Sequence, residues 1–97
     1  MFCINVWLTV QDAADVEEIR SLLSQAADLS RAEEGCLRFE VYQSQDDPAC
    51  FLLAERWASR EAWEAHREER AFTEIYQPKV LPRVERVPHI STLVSPV

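Results

Sequence analysis

Cys36-Leu37-Arg38-Phe39-Glu40-Val41-Tyr42-Gln43-Ser44 alternates apolar and polar side chains, and Cys50-Phe51-Leu52-Leu53-Ala54-Glu55-Arg56-Trp57-Ala58 continues with a period of two. That period is the signature of a strand, whose successive side chains point to opposite faces. Between the two runs lies Gln45-Asp46-Asp47-Pro48, which is turn chemistry. The stretch from 36 to 58 therefore predicts an antiparallel hairpin. Leu37, Phe39 and Val41 share a face with Phe51, Leu53, Glu55 and Trp57; Arg38, Glu40, Tyr42, Leu52, Ala54 and Arg56 take the other.

Upstream, Phe2, Ile4, Val6 and Leu8 alternate with Cys3, Asn5, Trp7 and Thr9, a further strand. A helix follows, with Asp12 as its cap, Asp15, Glu17 and Glu18 favouring its N-terminal dipole, and an apolar stripe through Val16, Ile19, Leu22, Leu23, Ala26 and Leu29. Gly35, the single glycine, stands where a left-handed C-cap residue is wanted. Downstream, Ser59 caps a second helix with Ala62, Trp63 and His66 on its inner side. Phe72, Ile75 and Tyr76 read as a separate helical turn ended by Pro78 or Pro82. Val87 to Val94 reads as a last strand, with Pro88 at its start or on an edge.

The order is β-α-β-β-α-β. It predicts one α+β domain over residues 1–97, with ferredoxin-like topology and both helices on one face of a four-stranded antiparallel sheet. The opposite face would expose Trp7, Tyr42, Leu52 and Ala54 among Arg38, Glu40 and Arg56. A patch of that kind marks an interface, so a homodimer through the sheet face is expected.

The formal net charge is −7 and the pI about 4.7. Such a surface argues against nucleic acid and against an anionic membrane. The best basic cluster, Lys79, Arg83 and Arg86, has Glu85 in its midst. No apolar run approaches the roughly 18 residues of a membrane span. With no secretory pattern at the N-terminus, and with Cys3, Cys36 and Cys50 in no ligand spacing, a reduced, cytoplasmic protein is expected.

Glu55 breaks the apolar pattern on the face assigned to the helices, and His66 faces it from the second helix. Trp57, Phe39, Phe72 and Tyr76 surround them, which is the composition of a small-molecule pocket. Each has a plainer alternative. Glu55 could satisfy a helix start or an arginine, both Trp57 and Trp63 could be core, and a lone inward histidine is more often structural than catalytic. His89 is a weaker candidate. One glycine permits no phosphate loop, and the two histidines lack co-ligands. An enzyme of this sequence is expected to work without metal, flavin or nicotinamide.

Glu34-Gly35-Cys36-Leu37-Arg38-Phe39-Glu40-Val41-Tyr42, then Glu55-Arg56-Trp57-Ala58-Ser59, then Glu64-Ala65-His66 resembles the antibiotic biosynthesis monooxygenase family, and its quinol-monooxygenase-like branch in particular. The resemblance implies a dimeric α+β barrel and a cofactor-independent oxygenation of a small electron-rich aromatic, a quinol or anthrone, by O2. The Asn, Trp and His of haem-degrading members fall on Val6 (or Asn5), His66 and Tyr76, so that triad is missing. The strand Asn of polyketide oxygenases falls on Leu53, while Trp57 is kept. The resemblance thus implies His66, Glu55 and Trp57 as catalytic residues, with Glu55 orienting His66. Phe39, Leu53, Phe72 and Tyr76 would bind substrate, and the ligand would sit under His66 within each subunit. A non-oxygenase binder or isomerase of the same fold is the alternative.

Overall fold

The computed structural model describes residues 1–96. Its strands are β1 (Phe2–Val10), β2 (Cys36–Gln43), β3 (Cys50–Trp57) and β4 (Val84–Ser91), in the sheet order β2-β3-β1-β4. Every pairing is antiparallel. Helices α1 (Val16–Arg31) and α2 (Arg60–His66) and a wide-turned π-type helix (Ala71–Val80) complete the ferredoxin-like α+β fold.

Strand parity sets the layers. Phe2, Ile4, Val6, Leu8 and Val10 of β1 are buried, as are Phe51, Leu53, Glu55 and Trp57 of β3. Burying each large apolar side chain contributes about 1.5–3 kcal/mol. Helix α1 meets this layer with Ile19, Leu22, Leu23 and Ala26, joined by Ala27 and Ser30. The Ser30 hydroxyl donates to the Ala26 carbonyl at 2.7 Å, which satisfies it inside the core. Asp12 caps a 3-10 turn (Ala13–Asp15) that leads into α1, its Oδ1 accepting from the Ala14 amide at 2.9 Å.

Two expectations change and one alternative is resolved. Leu37 was assigned to the helix face, but the register slips between Cys36 and Arg38: Cys36 pairs with Trp57, Arg38 with Arg56. Leu37 is the extra residue of this bulge and is 58% exposed, while Cys36 packs against the core instead. The last strand runs from Val84 to Ser91, three residues earlier than expected, because a 3-10 turn (Leu81–Arg83) around Pro82 ends the helical segment and Val84 is already buried. Of the two prolines that could end this segment, Pro82 does so, while Pro78 lies inside the π-type helix; the wider turn carries the chain past a residue with no N–H to offer.

Gly35 closes α1's exit with φ +83°, where other residues are strained. Its carbonyl accepts from the Ala58 amide at 2.7 Å. A Cβ here would stand 2.6 Å from the Ala62 Cβ. The bare backbone lets the turn after α1 press against α2, and that approach shapes the site below.

Candidate functional site

β3 carries Glu55 inward because it shares parity with Leu53 and Trp57. Two residues along a strand lie on one face, and the Trp57 indole Nε1 donates to Glu55 Oε1 at 3.1 Å. Trp57 is fully buried. Ser59 starts α2, its Oγ accepting from the Ala62 amide at 3.1 Å, and the helix ends on His66. The His66 ring lies 4.6 Å from the Trp57 ring, centroid to centroid, with Phe39 at 5.9 Å and Phe72 at 6.2 Å. Tyr76 comes from the π-type helix; its hydroxyl accepts from Arg86 Nε of β4 at 3.2 Å.

These side chains enclose a cavity of about 210 Å³ between sheet and helices. Phe39, Leu53, Glu55, His66, Phe72 and Tyr76 all line it, together with Trp63, Arg67, Leu81 and Arg86 and the α1 residues Leu23, Ala26 and Ser30. Trp57 is not on the wall; it packs behind Glu55 and His66. Trp63, expected in the core, is half-buried, stacks on Phe2 at 4.9 Å and reaches the wall.

The hydrogen bond to the imidazole corrects the expected pairing. Glu55 is engaged by Trp57, and His66 Nδ1 bonds instead to Glu33 Oε1 at 2.7 Å. Glu33 sits in the turn that Gly35 presses against α2, 33 residues away in sequence. Nε2 has no protein partner among the described residues and is not sealed from solvent. With Nδ1 held by Glu33 and His66 on the cavity wall, Nε2 is the ring nitrogen left for a ligand.

Burial governs the charges. It pushes the Glu55 carboxyl up to about 7, against the pull of the Trp57 hydrogen bond and of Arg86. It pushes Glu33 up to about 7, with Glu69 adding to the rise, and His66 down to about 4. Each shift favours the uncharged form, because a low-polarity wall penalises charge. The Glu33–His66 contact is then kept by one proton, on Oε1 or on Nδ1. Burial also raises the Tyr76 phenol, so it remains an O–H donor.

Four polar residues lie outside the sequence expectation: Arg67, Arg86 and Ser30 on the wall, and Glu33 behind it on His66. An acidic residue past a helix C-terminus opposes the dipole, a signal too weak to set Glu33 apart from its neighbour Glu34. Arg86 shares strand parity with buried Val84, a signal lost once the strand was started at Val87. The supposed basic cluster is dispersed: Arg83 pairs with Glu18 at 3.1 Å, and Arg86 with Tyr76. Among the described residues no three His, Cys, Asp or Glu side chains gather as a metal site needs, and no helix is long and apolar enough to cross a membrane.

No curated protein matches the chain. Solved structures do. One from Nitrosomonas europaea, described as a "Putative antibiotic biosynthesis monooxygenase", is 26% identical with TM-score 0.87, over 95% of this chain and 97% of that one. A Bacteroides thetaiotaomicron protein of unknown function, described as a "Possible Oxidoreductase", is 21% identical with TM-score 0.85, over 93% and 94%. A Deinococcus radiodurans structure, again a "putative antibiotic biosynthesis monooxygenase", is 24% identical with TM-score 0.75, over 93% and 92%. The last two likenesses speak to the fold alone. Residues 1–77, which carry β1 to β3, Glu33, Glu55, His66 and Tyr76, match the antibiotic biosynthesis monooxygenase family, and the chain belongs to it.

Proposed function

We propose that the protein is a cofactor-independent monooxygenase that oxidises a small electron-rich aromatic with O2. The observation that carries this reading is an imidazole on the wall of an aromatic-lined cavity, bonded through Nδ1 to Glu33 so that Nε2 is left free, in a chain of this family. A cavity of roughly 150 Å³ already admits benzene. At about 210 Å³, this one has room for an aromatic ring.

The chemistry needs a base, a dry ring-binding wall and a donor to the substrate oxygen. His66 Nε2 takes the proton from the quinol or its keto tautomer, leaving an electron-rich anion. That anion passes one electron to O2. Recombination of carbon radical and superoxide forms the C–O bond of a peroxide. Breaking the O–O bond with loss of water leaves one oxygen in the product as a carbonyl, so no outside reductant is consumed. Phe39, Phe72 and Leu53 would hold the ring, and Tyr76, backed by Arg86, would donate to a ring oxygen. Trp57 acts from behind the wall, fixing Glu55 and packing tilted against His66.

The dimer belongs to the same proposal. Trp7, Tyr42 and Val87 are each about half exposed on the sheet face away from the helices, beside Leu52 and Arg56 and an Arg38–Glu40 pair at 2.6 Å. A second copy would cover them, with each cavity on the far side of its own sheet.

Oxygen uptake with simple naphthalenediols in metal-free buffer tests the activity. Product that forms only in air, with label from 18O2, supports the reading. Equal anaerobic turnover, or binding without product, overturns it in favour of an isomerase or a binder.

A further inference from the structure

We propose that Glu33 is a positioning residue for His66: its carboxylate holds the Nδ1–H tautomer and thereby makes Nε2 the base. The inference rests on the monooxygenase reading above, and extends it to a residue that never meets the substrate.

The contact is built into the fold. Glu33 and His66 side chains are only 12% and 9% exposed, and 33 residues separate them. The Glu33 backbone is pinned on both sides, its amide donating to the Ser30 carbonyl at 3.0 Å and its carbonyl accepting from the Cys36 amide at 3.2 Å. The bare Gly35 backbone brings this rigid turn against α2. A surface ion pair of adjacent helix turns would have none of these features.

A neutral imidazole carries one N–H. When Glu33 is ionised it accepts that hydrogen from Nδ1, and Nε2 presents its lone pair to the cavity. When Glu33 is protonated its own O–H donates to Nδ1, and Nε2 carries the hydrogen and cannot act as a base. A proton arriving at Nε2 makes an imidazolium that faces a carboxylate 2.7 Å away, which stabilises it until the proton returns to the leaving peroxide oxygen.

The groups around the pair set where the change falls. Glu69 after α2 disfavours a negative Glu33 and favours a positive His66, which Arg67 opposes; Glu33 in turn disfavours a negative Glu55 on β3, and the Cys36 thiol lies beside Glu33 as a neutral neighbour whose own ionisation is pushed up. With Glu33 at about 7, the base-competent tautomer grows in as pH rises through neutrality.

Two measurements on the full chain test this. In 15N-histidine NMR without substrate, His66 should be the Nδ1–H tautomer above about pH 8 and the Nε2–H tautomer below about pH 6, and E33Q should abolish the switch. An unchanged tautomer across that range, or an intact switch in E33Q, overturns the inference. In turnover of 1,4-naphthalenediol, E33Q should lower kcat at least about tenfold with little change in KM, and should lose the rise near pH 7, while E33D should keep the rise. Undiminished kcat with the limb intact in E33Q overturns it too. Failure of the wild type to consume O2 sinks the oxygenase reading instead, and the NMR titration still decides the tautomer.

Discussion

The Trp57 indole and the Glu55 carboxylate hold each other in the buried layer between sheet and helices, Nε1 donating to Oε1 at 3.1 Å from two positions along the same strand face. A buried acceptor that loses its donor bears its desolvation unrelieved, at about 1–3 kcal/mol and more if it is charged. Trp57→Phe keeps most of the packing and removes the donor. It should destabilise the fold by roughly 2–4 kcal/mol. The loss should be larger at pH 8 than at pH 5, because the ionised carboxylate needs the indole more; urea titrations at both values measure it.

Glu55→Gln keeps an acceptor for the indole and removes the charge. In the folded chain Glu55 sits at about 7, above its ordinary 4.5. A carboxyl raised in this way binds more protons folded than unfolded, so stability falls as pH rises from about 4.5 to 7. The wild type should match the Gln variant at about pH 4. By about pH 8 it should be less stable by up to about 3 kcal/mol, at roughly 1.4 kcal/mol per pH unit. Parallel melting curves across that range give the answer, and a constant offset would contradict it.

Alternation in residues 50–58 was enough to find Glu55, since one carboxylate among Phe51, Leu53 and Trp57 stands out on a buried face. His66 was legible for a similar reason, lying one turn beyond Ala62 and Trp63. Glu33 was not. Glu33-Glu34 at the end of a helix reads as solvated chain, and its contact exists only because the Gly35 turn lies close against Ala62. Leu37 was misplaced because a bulge adds a residue to one strand without changing its composition. Periodicity reveals what one element buries; it does not reveal how closely two elements approach.

Gly35→Ala tests that approach. The new Cβ meets Ala62 Cβ at 2.6 Å, and φ of +83° strains any side chain. A loss of about 2–4 kcal/mol is expected, of which backbone strain accounts for roughly 1–2. Adding Ala62→Gly should restore the steric part and leave the backbone part. Full recovery in the double variant would show that φ costs little here.

The open sheet face offers a different test. Trp7→Glu places a carboxylate among Trp7's neighbours Leu52 and Val87, against whatever covers them. Trp7 is 47% exposed in the single chain, so the fold itself should lose less than about 1 kcal/mol. Sedimentation should give a dimer for the wild type and a monomer for Trp7→Glu, with helical circular dichroism unchanged. A monomeric wild type at micromolar concentration would remove the sheet-face dimer from the proposal.

Tyr76 bears most directly on ligand binding. Its hydroxyl oxygen accepts from Arg86 Nε at 3.2 Å, which leaves its own hydrogen for a partner in the cavity. Burial raises this phenol, so the hydrogen stays in place through the neutral range. A hydrogen bond from a neutral donor contributes about 1 kcal/mol, and to an anionic oxygen about 1.5–3. Tyr76→Phe should therefore weaken anaerobic binding of 1,4-naphthalenediol about 5-fold, and of an anionic naphtholate analogue about 10–100-fold. Tryptophan fluorescence, with Trp63 on the cavity wall, provides the titration. Equal weakening for both ligands would mean that Tyr76 shapes the wall without donating to the ring oxygen.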